Sequence, residues 1–133
     1  MADLSIVFDG GSKGNPGFGY GSFLLEDRAG FHEITRLEYG DAITNNQAEY
    51  RTLIAALEQA LAHAGRRGWA PAALSLTVRS DSQLVIEQVL GRWKIRHPGL
   101  QPLASEARRL IAHFGRADLT WQPRAQTVKV LGH

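Results

Sequence analysis

The chain has 133 residues, one domain at ordinary domain sizes, and its 44% hydrophobic and 21% charged residues are the mix of a folded globular protein. It has no cysteine, which excludes a disulfide framework, a cysteine-ligated zinc or iron–sulfur site and a cysteine nucleophile. The formal net charge is +2, a mildly basic balance that suits a polyanionic partner without requiring one.

Leu4 to Asp9 is apolar and reads as a strand entering a turn. The N-terminal Met-Ala-Asp-Leu-Ser-Ile lacks the basic and apolar regions of a signal peptide, and no stretch approaches the ~18 apolar residues of a membrane span. The expectation is a cytoplasmic, monomeric protein with no membrane and no obligate protein partner. Gly10 to Gly17 reads as a glycine-rich loop. Phe18 to Glu26 and Phe31 to Tyr39 read as strands joined at Asp27–Gly30, so the chain opens as an antiparallel meander. Thr44 and Gln47 have capping-box spacing and open a helix whose apolar stripe is Tyr50, Leu53, Ile54, Leu57 and Leu61, with Gly65 able to end it. Leu74 to Val78 alternates as a strand does, and Ser82 to Leu90 reads as a short helix. Gly91 to Gly99 is a loop rich in basic residues around Trp93, Leu100 to Phe114 a further helix, and Asp118 to Gln122 a last strand. The order βββαβααβ is mixed α/β with one sheet carrying helices.

Three acids stand where folding alone gives little reason for them. Asp9 ends an apolar strand, Glu49 lies one turn into the first long helix, and Asp81 sits at the junction of the fourth strand and the next helix. Strand ends converge in α/β sheets, so the three can share one mouth. Carboxylates that close repel one another, and a divalent cation with a preference for hard oxygen relieves the repulsion. Each acid also has a plain alternative. Asp81 suits a helix N-cap, Glu49 a first-turn acid favoured by the helix dipole, and Asp9 a turn residue.

The words around these acids carry a resemblance. Phe8-Asp9-Gly10-Gly11-Ser12-Lys13-Gly14-Asn15-Pro16-Gly17, Thr44-Asn45-Asn46-Gln47-Ala48-Glu49-Tyr50 and Ser80-Asp81-Ser82-Gln83-Leu84-Val85 resemble the three motifs of type 1 ribonucleases H. Gly91-Arg92-Trp93-Lys94 with Pro98-Gly99-Leu100 resembles the loop of members that lack a basic protrusion. The resemblance implies a single ribonuclease H domain over residues 1–133. It also implies a five-stranded mixed sheet in the order 3-2-1-4-5 flanked by helices, two Mg²⁺ or Mn²⁺ ions, and hydrolysis of the RNA strand of an RNA·DNA hybrid. Asp9, Glu49 and Asp81 are then metal ligands. Gly10, Gly11, Ser12, Asn15, Asn45, Asn46, Gln47, Ser82, Trp93, Lys94 and Arg124 are then the residues that meet the hybrid.

The chain departs from the family at its end. The family carries a fourth aspartate on a last helix, and counting from Pro123 puts Leu131 in its place and Thr127 where an asparagine is expected. No acid follows Asp118. His133 is the candidate fourth metal ligand, by its imidazole or by the chain-terminal carboxylate. The alternatives are a site of three carboxylates, or a hybrid-binding module with weak or lost catalysis.

Overall fold

The first strand runs straight through the glycine-rich segment. In the computed structural model, which describes residues 2–132, β1 spans Leu4–Gly14 and β2 spans Gly17–Asp27. Their antiparallel register pairs Gly14 with Gly17 and Asp9 with Ser22, so Asn15 and Pro16 alone turn the chain. The expected loop from Gly10 to Gly17 is therefore a hairpin. Its glycines divide the work: Gly10 packs against α1's backbone, while Gly14 and Gly17 serve the turn.

The remaining elements are β3 (His32–Ile43), α1 (Asn45–Arg67), a single 3-10 turn (Pro71–Ala73), β4 (Ser75–Ser80), α2 (Gln83–Val89), α3 (Gln101–Ile111), β5 (Arg116–Trp121) and α4 (Arg124–Leu131). The sheet order is β3-β2-β1-β4-β5, as the resemblance implies. β1, β2 and β3 are antiparallel neighbours, whereas β4 runs parallel to both β1 and β5. Several bounds differ from expectation: β3 runs on to Ile43, α3 ends at Ile111 and β5 starts at Arg116. α1 continues past Gly65 to Arg67 and ends at Gly68, whose φ of 73° is the left-handed cap conformation that glycine adopts without strain. α4 was not visible in the hydrophobic period, because only Thr127 and Leu131 of its eight residues are buried.

Alternation along β1 divides the sheet into two faces. Leu4, Ile6 and Phe8 are at most 1% exposed and pack with Tyr50, Leu53 and Leu57 of α1 in the main core. Asp9 points the other way, toward the face where Val7 and Leu24 meet Gln126 and Val130 of α4. Among the described residues no helix is long and apolar enough to cross a membrane.

Asp27, at the far end of β2, ties the β2–β3 turn to the last turns of α1. Its Oδ1 accepts from the backbone N–H of Ala29 (2.8 Å) and of Phe31 (3.0 Å). Its Oδ2 lies 2.7 Å from His63 Nε2 and 3.3 Å from Arg67. Burial raises this carboxyl's pKa, but the bonds from His63, Phe31 and Ala29 outweigh it and hold the group below its ordinary 3.8. A depressed carboxyl stabilises the fold above the unfolded value and loses that contribution as pH falls through the folded one. Asp27→Ala is expected to destabilise the fold by about 3 kcal/mol near neutral pH, since it strands buried donors. Urea titrations from neutrality down to acid pH check this. The difference between the two proteins should shrink only below the ordinary carboxylate range.

Candidate active site

Asp9 is 4% exposed and is carried on β1 opposite Ser22. Glu49 is set by the start of α1. Thr44 Oγ1 accepts from Gln47 N (3.1 Å) and Gln47 Oε1 accepts from Thr44 N (2.9 Å), the reciprocal cap expected from the spacing. That cap fixes where the first turn begins and so where Glu49 points. Asp81 follows the last residue of β4. It does not cap α2, whose N-cap is Ser82 with no side-chain bond, so the capping alternative for Asp81 fails.

Asp9, Gly10, Gly11, Tyr20, Asn45, Glu49, Asp81 and Arg124 line one open pocket of about 260 Å³. Arg124 Nη1 donates to Asp81 Oδ2 at 3.1 Å and to Asp9 Oδ2 at 3.5 Å. Asp81 Oδ1 is buried without a hydrogen-bond partner, as is Ser82 Oγ. Burial is the main cause that pushes the Glu49 carboxyl up to about 7. The nearby Ser82 hydroxyl, short of an ideal hydrogen bond, and the Arg124 charge pull it down, while Asp9 and Asp81 push it further up. Among the described residues no three acidic, histidine or cysteine side chains stand as a ready-made ion cage. The donor set nonetheless fits a hard divalent cation: three carboxylates that repel one another, a buried Asp81 oxygen with no partner, and a guanidinium that offsets part of the repulsion.

Several other expected residues serve local structure in this geometry. Ser12 Oγ donates to Ile43 O at 2.7 Å, and Asn15 Oδ1 accepts from Asn45 N at 3.1 Å, which fastens the β1–β2 hairpin to the mouth of α1. Gln47 spends its carbonyl on the cap. Gly10 lies against α1: a Cβ there would stand 2.7 Å from the backbone of Ala48 and Glu49. Asn46 is half-buried beside exposed Asn45. Trp93 and Lys94 are not in the acidic pocket. They line a separate groove of about 610 Å³ with Arg92, Ile95, Gln101 and Arg108. Gln88 Nε2 donates to Lys94 O at 3.3 Å and so holds the loop. Tyr20 was missed by the sequence reading. A hairpin turning at Asn15–Pro16 pairs Tyr20 with Gly11, on the face that carries Asp9, and that register was the available signal.

At the chain end, Leu131 is 1% exposed, and Thr127 Oγ1 accepts from Gln122 Nε2 at 3.0 Å. The place where the family carries its fourth acid is thus a buried apolar side chain. His133 lies outside the described residues.

The sheet order β3-β2-β1-β4-β5 defines a ribonuclease H-like fold, with three carboxylates converging at one mouth. A family model described as reverse transcriptase-like matches residues 7–130. The bifunctional protein Rv2228c of Mycobacterium tuberculosis is 43% identical over 125 residues, 91% of this chain and 31% of that protein. Ribonuclease HI of Halobacterium salinarum is 41% identical over 126 residues, 92% of this chain and 57% of that enzyme. The chain thus spans about a third to a little over half of the length of these curated relatives. The crystal structure of the Halobacterium salinarum RNase H1 superposes with a TM-score of 0.80 at 35% identity, covering 96% of this chain and 90% of that one. That of LC11-RNase H1 in complex with an RNA/DNA hybrid gives 0.82 at 26% identity, with coverage of 96% and 90%. The chain belongs to the ribonuclease HI family.

Proposed function

We propose that the protein is an endonuclease that hydrolyses the RNA strand of RNA·DNA hybrids with Mg²⁺ or Mn²⁺. The observation that carries this reading is the convergence of Asp9, Glu49 and Asp81 on one pocket with the Asp81 Oδ1 acceptor unsatisfied. Asp9, Glu49 and Asp81 would hold the cations, two in the arrangement the resemblance implies. Bound there, such ions supply an activated water and offset charge at the phosphorus centre and the departing 3′ oxygen. The site's own residues do the rest. Asp9 sits within β1 and Asp81 directly after β4, and the sheet keeps both in position. Glu49, with its pKa raised to about 7, shares the same mouth.

Substrate choice is argued from what rims the pocket. The Gly10 and Gly11 backbones and exposed Asn45 stand at its edge, where polar groups can meet the ribose 2′-hydroxyl of a strand laid across it. Trp93, 45% exposed and flanked by Arg92 and Lys94, suits stacking on the sugar of the DNA strand while cations meet its phosphates. The archaeal relative is named ribonuclease HI, and LC11-RNase H1 was solved with an RNA/DNA hybrid, which supports the same substrate here.

A second reading is favoured by one observation, the buried Leu131 in place of the fourth acid. It is a hybrid-binding module with little or no turnover. A labelled hybrid whose RNA strand carries a short 2′-deoxy patch tests the substrate side of the main reading. Cleavage is expected everywhere except at the patch. Cutting of an all-DNA duplex at a comparable rate would overturn hybrid specificity.

A further inference from the structure

Arg124 is the first residue of α4, and its side chain is 62% exposed. A cation at a helix N-terminus opposes the helix dipole, so α4 itself does not favour it there. Its polar contacts run to the acidic pocket. One nitrogen, Nη1, serves both Asp9 and Asp81, at 3.5 Å and 3.1 Å. This is not the two-nitrogen fork of a strong guanidinium–carboxylate pair. Asp81 is left half satisfied, with Oδ2 taken and buried Oδ1 bare. Arg124 thus sets one positive charge against Asp9 and Asp81, held loosely, on a side chain largely open to solvent.

We propose that Arg124 is a resident counter-ion of Asp9 and Asp81 that a divalent cation must displace, and that the displaced guanidinium is then free to meet a phosphate. This rests on the metal-dependent reading above and deepens it. A divalent ion brings two charges where Arg124 brings one, and it can use the Asp81 Oδ1 that Arg124 leaves bare. The guanidinium is exposed and poorly aligned, so it weakens metal binding without preventing it. Leu131 strengthens the case: with no fourth acid on α4, the cation and the guanidinium draw on the same two carboxylates. The coupling is reciprocal. A phosphate that draws Arg124 away also vacates the carboxylates, so hybrid and metal each raise the other's affinity.

The test is calorimetric titration of Mn²⁺ and of Mg²⁺ into the protein without nucleic acid, for wild type, Arg124→Gln and Arg124→Lys, with thermal unfolding of each as the folding control. Arg124→Gln keeps polarity and reach without charge and is expected to bind the ion roughly 2- to 30-fold more tightly, the worth of two exposed ion pairs. Its melting temperature should also rise more on adding Mn²⁺ than that of wild type. Arg124→Lys should stay within about threefold of wild type, since the competing charge remains. Equal or weaker binding by Arg124→Gln overturns the inference alone and leaves the metal-dependent reading standing. If no variant binds either ion at millimolar concentration, both fall together.

Discussion

Asp9→Asn is expected to lower hybrid cleavage by about 10³-fold while leaving the melting temperature within a few degrees of wild type. Asparagine has the size of aspartate, and the residue sits inside β1 with Ser22 opposite, so the sheet has no reason to shift. Only the charge is lost, at an acid that lines the pocket and shares Arg124 with Asp81. Asp81→Asn should behave alike. Steady-state rates on a labelled hybrid, beside thermal unfolding of the same preparations, check the pair. Near-normal turnover by Asp9→Asn with Mg²⁺ would remove Asp9 from the chemistry and with it the metal assignment.

Gly10→Ala is expected to damage activity through packing. The added Cβ would meet the carbonyl carbon and oxygen of Ala48 and the nitrogen of Glu49, each at 2.7 Å, and these are backbone atoms of a long helix with no rotamer to yield. α1 must move off β1. The overpacking costs about 1–3 kcal/mol, and Glu49 moves with the helix. A displacement near 1 Å at a catalytic group costs about 100-fold in rate. Gly65→Ala is the control, because a Cβ there meets nothing within 4 Å and alanine favours the helix. It should keep full activity and gain slightly in stability. If Gly10→Ala matched Gly65→Ala in both rate and melting temperature, Gly10 would not set the spacing between Asp9 and Glu49.

The same residues show how far the amino-acid order alone could be read. The cap at Thr44 and Gln47 was legible because it is a local rule, three residues apart. Sheet order followed from the family resemblance of the motifs, and no local rule would have supplied it. The stretch from Gly10 to Gly17 was misread, since glycine marks both turns and places where a helix presses on a strand, and only the partner helix tells them apart. Gly65 reads as the end of α1 in sequence, yet Gly68 takes the positive φ of the cap. For Asp81, a capping role and a ligand role look identical in sequence, and the capping role drops out because Ser82 is the N-cap of α2. Arg124 lies 115 residues from Asp9, and nothing in its neighbours announces that it stands between two acids. The missing fourth acid was countable from Pro123, but its consequence, a buried Leu131, needed the packing of α4.

The central claim is that Asp9, Glu49 and Asp81 on this fold support metal-dependent cleavage of the RNA strand. It is tested most directly by incubating the wild-type protein with an end-labelled RNA·DNA hybrid in Mg²⁺, in Mn²⁺ and in a chelator, and resolving the products. The account predicts internal cuts in the RNA strand with either ion, an intact DNA strand, and no cutting in chelator. A protein that shifts the hybrid in a binding assay yet leaves the RNA whole in both metals would contradict it, and would make this chain a hybrid-binding module.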